Sequence, residues 1–481
     1  MSLRDLEPKQ PVKYFLELSA IPRGSGNEKA ASDYVAAFGR SKGLEVFQDA
    51  ERNVVIKKPG TAGYENAPRV IIQGHLDMVC EKNKGVEHDF EKDGIKVVLD
   101  GEFLRAEGTT LGADNGAAVA MGMALLEAED IPHPPLTVIM TTNEEVGLLG
   151  AAALPAEHLE GKYLINLDSG GEGVFTAGCA GGLRTVLTVN GTREMIPAGF
   201  TAVKLNVSGL LGGHSGANIK DERANANKLL GRILSFLSKD FDIRINSVSG
   251  GEKENSIPRE AEVIGCIKST DFGLAQNALN GLIQNIKDEY ASSDPGVNII
   301  YGETVVGSCF NAATSKKIIS ALNVLPNGVQ HMEQNLRCFV ETSVSLGVVK
   351  TEGDDVQLFS AVRSSVASRK YEVLGRIREA ASAVGAAMAS GSDYPQWTYK
   401  KESQLCDICA ETYKELNGKE AQFITIHGGL ECGLFLEKAP GLDIVAMGPV
   451  IHDAHSPDER LDAASFERCW ELLKAILAKL L

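Results

Sequence analysis

The chain has 481 residues, too many for one compact core, so at least two domains are expected. Its 48 basic and 64 acidic side chains give a formal charge of −16, which argues against nucleic acid or an anionic membrane surface as partner. Hydrophobic residues at 43% and charged residues at 23% exclude a disordered chain, and no run approaches the ~18 apolar residues of a membrane span.

The opening stretch, Met1 to Pro8, lacks the continuous apolar core of a signal peptide. Nine cysteines, an odd number without a framework, read as reduced thiols in a cytoplasmic protein. Residues 8–20 read as an amphipathic helix opened by Pro8, and Ser25-Gly26-Asn27-Glu28 starts a second that runs to about Ser41 and stops at Gly43. A strand over 53–57 and a polar turn over 59–68 lead to Val70-Ile71-Ile72-Gln73-Gly74-His75-Leu76-Asp77. This β-branched run ends in a turn, so His75 and Asp77 sit at a strand exit, where open α/β sheets collect ligands. One of the two can bind a metal while the other fixes the imidazole.

Residues 89–105 read as a hairpin. Gly112-Ala-Asp114-Asn-Gly116 then opens a small-residue helix with an acid at its mouth. Pro134-Pro135 introduces a strand that delivers Asn143-Glu144-Glu145, and residues 163–167 form another that delivers Asp168-Ser169. Beyond 187 the texture changes to period-two strands (202–208, 356–363) interleaved with helices (225–238, 272–292). Gly181-Gly182 and the polar 390–396 read as hinges. Cys406-Asp-Ile-Cys409 lies in a helical-looking segment with no second pair, so it reads as idle thiols rather than a zinc or redox motif. A last strand over 442–447 leads to His452-Asp-Ala-His455, and a helix from about Ala463 closes the chain.

The expected fold is α/β: a discontinuous catalytic domain over 1–186 and 397–481, mostly parallel sheet flanked by helices, with an α+β insertion over 187–396. Four β-runs end in metal-capable residues, which gathers His75, Asp114, Glu144, Glu145, Asp168 and His455. Two histidines and three carboxylates suit a pair of zinc-like ions, which can hold a hydroxide and polarise an amide carbonyl. A further acid is needed to carry the proton, and the adjacent Glu144 and Glu145 suit a split in which one ligates and the other faces water.

His75-Leu-Asp77, Gly112-Ala-Asp114-Asn-Gly116, Asn143-Glu144-Glu145-Val-Gly147, Asp168-Ser169 and Ala454-His455-Ser-Pro-Asp-Glu459 resemble, in order and spacing, the co-catalytic zinc exopeptidases that include aminoacylase, carboxypeptidase G and peptidase T. Within that family, Gly74-His-Leu-Asp-Met-Val-Cys80, Thr110-Leu-Gly-Ala-Asp-Asn-Gly116 and Ile426-His-Gly-Gly-Leu-Glu-Cys432 are similar to the bacterial aminoacyl-histidine dipeptidases (Xaa-His dipeptidase, peptidase D). The resemblance implies that His75 and Asp168 bind one metal, Glu145 and His455 the other, and that Asp114 bridges. It implies Asp77 as the residue that orients His75 and Glu144 as general acid/base, and it selects His455 over the nearby His452. The metals would be zinc, with cobalt or manganese as alternatives.

In the insertion, Gly212-Gly-His214-Ser-Gly216 carries a histidine that in the family helps hold the oxyanion. Asn255-Ser-Ile-Pro258 resembles a segment that positions substrate. Arg363 is a fork suited to a free C-terminal carboxylate. The implied activity is hydrolysis of unblocked dipeptides, preferentially Xaa-His and including β-alanyl-histidine, by a homodimer formed through the inserted lid/dimerisation domain. An N-acyl amino acid deacylase on the same scaffold is the alternative, with a catalytically silent binding protein behind it. The insertion is about twice the length found in simpler members. Asp168 stands where many relatives have glutamate.

Overall fold

A computed structural model of the chain describes residues 3–333 and 339–481. The chain divides into two compact units. The first comprises Met1–Cys179, Trp397–Thr425 and Leu430–Leu481, and the second Ala180–Gln396 with Ile426–Gly429.

Unit one is built on an eight-stranded sheet in the order Glu45–Gln48, Val54–Lys58, Leu136–Thr141, Val70–His75, Tyr163–Asn166, Asp443–Ala446, Val174–Cys179 and Gln422–Ile426. The four middle strands, Leu136–Thr141 to Asp443–Ala446, run parallel to one another. Val54–Lys58 and Val174–Cys179 join them antiparallel on either side. The expected parallel sheet is therefore its centre, where every residue of Val70–His75 and Leu136–Thr141 is buried, as sheets covered on both faces require.

Helix Ala113–Glu127 is nearly all small or apolar and buried along its length, and it packs on helix Lys9–Ser19. Gly74 lets it approach the central strand, since a Cβ there would lie 2.5 Å from Asn115 Oδ1 and 2.6 Å from Ala118 Cβ. One continuous core joins the two helices, the sheet and the closing helix Ala463–Lys479. The expected hairpin is narrower than read, Val97–Asp100 with Phe103–Ala106, and Arg460–Asp462 adds to it. Glu45–Gln48, an edge strand alternating exposed and half-buried, carried too little hydrophobic pattern to be read from sequence.

Unit two holds a nine-stranded sheet with its own core. Gly181-Gly182 opens strand Gly181–Asn190, paired with Ala387–Tyr394, just past the point where the first segment of unit one ends at Cys179. A Cβ at Gly181 would come 2.6 Å from the Gln396 nitrogen, so the glycines serve close strand pairing. Among the described residues no helix is long and apolar enough to cross a membrane.

Candidate metal centre

Unit one presents the six sequence-predicted residues from five segments. His75 is the last residue of Val70–His75, and the next residue, Leu76, bonds Thr141 O at 2.7 Å. Glu144 and Glu145 follow strand Leu136–Thr141, and Asp168 follows Tyr163–Asn166. Asp114 stands in non-helical conformation at the mouth of Ala113–Glu127. His455 occupies the loop between Ile451–His452 and Arg460–Asp462, at φ +64°.

These segments converge. Ligand atoms of His75, Asp114 and Asp168, of His75, Glu144 and Glu145, and of Asp114, Glu145 and His455 lie within 4.8 Å of one another in each group. Asp114 is at the centre: its Oδ1 is 3.2 Å from His75 Nε2 and its Oδ2 is 3.2 Å from His455 Nε2. Asp168 Oδ1 is 3.8 Å from His75 Nε2, and Glu145 Oε1 is 2.9 Å from His455 Nε2. His452 is not in the cluster; its ring meets Phe103 edge-on at 5.7 Å.

The donor set fits cations. His75 Nδ1 faces the main-chain carbonyl of Asp77 at 3.0 Å, which assigns the neutral ring's proton to Nδ1 and turns the Nε2 lone pair toward carboxylate oxygens. Glu145 Oε1 is buried, and its approach to His455 lacks hydrogen-bond geometry. Lone pairs facing lone pairs need a proton or a metal ion between them. The electrostatics say the same. Burial disfavours charge on His75, yet Asp114, Asp168 and Asp77 raise its pKa well above the ordinary value. His455 is pushed up to about 11 by Asp114 and Glu145. Asp114 is held far below the carboxylate range by the two imidazoles despite its burial. Burial, with the neighbouring acids, raises Asp168 and Glu144 well above that range.

Asp77 does more than face the imidazole. Its fully buried carboxylate lies 3.4 Å from His75 Nδ1, accepts the Glu144 N–H at 3.0 Å and the Glu145 N–H at 3.2 Å, and takes the Ser25 hydroxyl at 2.7 Å. It thereby ties the Glu144-Glu145 turn to the His75 strand.

Other residues of the centre were not read from sequence. Glu431 is fully buried; its Oε2 accepts from Thr141 Oγ at 2.8 Å and from Gln73, while its Oε1 has no hydrogen-bond partner among the described residues. Burial raises the Glu431 pKa to about 7. Glu459 and Arg23, both buried, grip the backbone around Gly112. Glu431 and Glu459 stood inside quoted motifs, the one signal available. Arg23 had none.

Unit two gathers the insertion's candidates. His214 pairs with Ser256 in a two-stranded ladder, and Ser215 N–H bonds Asn255 O at 2.8 Å, so the two predicted motifs are neighbours. His214 Nδ1 accepts the N–H groups of Gly216 and Ala217 at 3.3 and 3.2 Å, which leaves Nε2 as the donor of the exposed ring. Arg363 is buried, bonds Tyr394 OH at 3.3 Å, and has no carboxylate partner among the described residues. His427, from segment Ile426–Gly429, bonds Ser343 Oγ at 2.7 Å; burial first, and then Arg363, push its pKa down to about 3.

Residues 71–479 match the model of peptidase family M20/M25/M40. The cytosol non-specific dipeptidase of Escherichia coli (strain K12) is 36% identical over 479 residues, 99% of either chain. The crystal structure of aminoacylhistidine dipeptidase from Vibrio alginolyticus shares a TM-score of 0.88 at 36% identity, covering 100% of this chain and 98% of that one. Aminopeptidase PepT from Bacillus cereus shares the fold, with a TM-score of 0.57 at 16% identity over 99% of each chain. The matched span takes in every member of the cluster from His75 to His455, and the likeness runs the length of the chain: the protein belongs to peptidase family M20/M25/M40 and is a peptide hydrolase.

Proposed function

We propose that the chain is a two-metal dipeptidase acting on unblocked dipeptides, with a preference for C-terminal histidine that takes in β-alanyl-histidine. One observation carries the metal reading: Asp114 turns one carboxylate oxygen to each of two imidazoles, Oδ1 to His75 and Oδ2 to His455. On this reading His75 and Asp168 hold one divalent cation, Glu145 and His455 the other, and Asp114 is shared. Zinc suits such a set, with cobalt or manganese as substitutes. Bound there, the ions supply Lewis acidity toward the scissile carbonyl and acidify a water molecule.

The chain's own groups do the rest. Glu144 takes the water's proton and returns it to the leaving amine, a role suited to a carboxyl that burial and its acidic neighbours keep ready to hold a proton. Asp77 fixes the directions of both glutamates through their N–H groups. His214, donating from Nε2, would stabilise the oxyanion. Arg363, a buried guanidinium with no carboxylate partner among the described residues, would receive the substrate's terminal carboxylate, with Asn255 helping to position the peptide. The substrate class is supported by the names of the Escherichia coli and Vibrio alginolyticus relatives. The cytoplasmic location is supported by the former, which is named a cytosol enzyme. A homodimer through unit two follows from the family resemblance.

A release assay tests the reading. The chain is stripped with EDTA, reloaded with zinc, cobalt or manganese, and given free and N-acetylated dipeptides. Metal-dependent release of histidine from free Xaa-His peptides is expected. Faster cleavage of the acetylated series would point to a deacylase instead.

A further inference from the structure

Two side chains of unit one meet around the peptide at Leu111–Asp114. Glu459 Oε2 accepts the N–H groups of Leu111 and Gly112 at 2.8 and 2.9 Å, and its Oε1 accepts that of Asp114 at 3.1 Å. From the other side Arg23 donates through Nη2 to the carbonyl of Gly112, and through Nη1 to those of Leu76 and Asp77 at 2.8 and 3.2 Å. Both side chains are 2% exposed. Gly112, at φ +71°, accepts this grip because it lacks a Cβ, which would come 2.5 Å from Arg23 Nη2 and 2.7 Å from Met78 Sδ. Among the described residues the two charges make no direct ion pair. They are joined by the main chain of Gly112.

We propose that Arg23 and Glu459 are positioning residues that clamp the Leu111–Asp114 peptide to the His75–Asp77 turn and so fix the carboxylate of Asp114 between the two cation sites. The inference rests on Asp114 being the shared ligand. Three facts lead to it. A carboxylate collecting three N–H groups holds its peptide rigidly, since each bond to a charged acceptor is stronger than a neutral one. A guanidinium spread over three carbonyls of two separate segments sets the distance between those segments, because its fork is planar and stiff. Glu459 also lies on the segment that carries His455, so one side chain couples the His455 loop to the Asp114 loop. The clamp therefore spans three of the ligand-bearing segments and touches no ligand side chain itself.

The test uses the full-length chain, stripped of metal and titrated with Co(II) at a temperature where circular dichroism shows each variant folded. Stoichiometry, affinity and the visible Co(II) spectrum are recorded for the parent, Glu459→Gln, Arg23→Lys and Asp114→Asn. Both clamp variants should bind Co(II) roughly tenfold to a hundredfold more weakly, the range found for groups that orient metal ligands. Both cations should be weakened, because the loop carries the shared ligand, and the spectrum should change. A merely structural role would lower the melting temperature of the metal-free chain and leave affinity and spectrum alone. Parental affinity and spectrum in Glu459→Gln, while Asp114→Asn loses a cation, would overturn the clamp and leave the shared ligand standing. Two cations bound at parental affinity by Asp114→Asn would overturn the reading beneath it. If Glu459→Gln does not fold, Arg23→Lys decides alone, since a single ammonium nitrogen cannot take both positions that Nη1 and Nη2 hold toward the two segments.

Discussion

Asp77→Asn separates what the Asp77 carboxylate does for the fold from what it does for the cations. In the parent, burial works against its charge, but His75, the Glu144 N–H and Ser25 together bring its pKa from 3.8 down to about 2. A carboxylate with a depressed folded pKa stabilises above its unfolded value and loses that stabilisation as pH falls toward the folded one. At about 1.4 kcal/mol per unit, the shift corresponds to about 2 kcal/mol at neutral pH, fading between roughly pH 4 and pH 2. The asparagine keeps the shape but turns an NH2 toward one of the N–H groups of Glu144 and Glu145, leaving a buried donor unsatisfied, at a further ~1–3 kcal/mol. Both tryptophans, Trp397 and Trp470, belong to unit one, so their fluorescence during urea unfolding of the metal-free chain reports on the right unit. The variant should be less stable than the parent by about 3–5 kcal/mol at pH 7, with the gap narrowing below pH 4. Equal stability at pH 7, or a gap independent of pH, would mean that the Asp77 charge does not stabilise the fold.

Metal-free Glu431→Gln should gain on the parent as pH rises from about 4.5 to 7. The parent's buried acid keeps a proton that the unfolded chain gives up, so the parent alone loses about 1.4 kcal/mol per unit there; a constant difference would count against a buried neutral Glu431. His427 has the opposite sign to a partnered histidine. Its folded pKa lies below the unfolded one, so stability is full above about pH 6.5 and falls by about 1.4 kcal/mol per unit below it. His427→Gln should flatten that slope in hydrogen exchange of the unit-two sheet, and an unchanged slope would mean another group is responsible. Arg363→Met should lower kcat/KM for dipeptides by orders of magnitude with normal metal content, and unchanged kinetics would remove Arg363 from substrate recognition.

The centre was legible wherever a β-branched run ended in a turn, because a parallel strand's exit is fixed by its own hydrophobic pattern. His75, Glu144, Glu145 and Asp168 are of that kind. Asp114 was legible as an acid at a helix mouth, although the structure takes it out of helical geometry. His455 depended on the motif resemblance, since nothing local separates it from His452. Arg23, Glu431 and Glu459 were not legible: their partners are main-chain groups and side chains far off in sequence, such as Leu111 for Glu459 and Thr141 for Glu431. The part that Gly181-Gly182 plays in close strand pairing with Ala387–Tyr394 was likewise not legible, because the partner strand lies some two hundred residues further on.

On the proposed reading five side chains hold two cations while Glu144 is free to move a proton. Glu144 shares one of the three ligand-capable groups with His75 and Glu145, so it has the geometry to be a ligand itself. Metal content and histidine release measured together on Glu144→Gln decide between the two roles. Two cations per chain, as in the parent, are expected, with turnover reduced about 10²–10⁴-fold, the usual share of a general acid/base. One cation per chain, or turnover near the parent's, would contradict that reading.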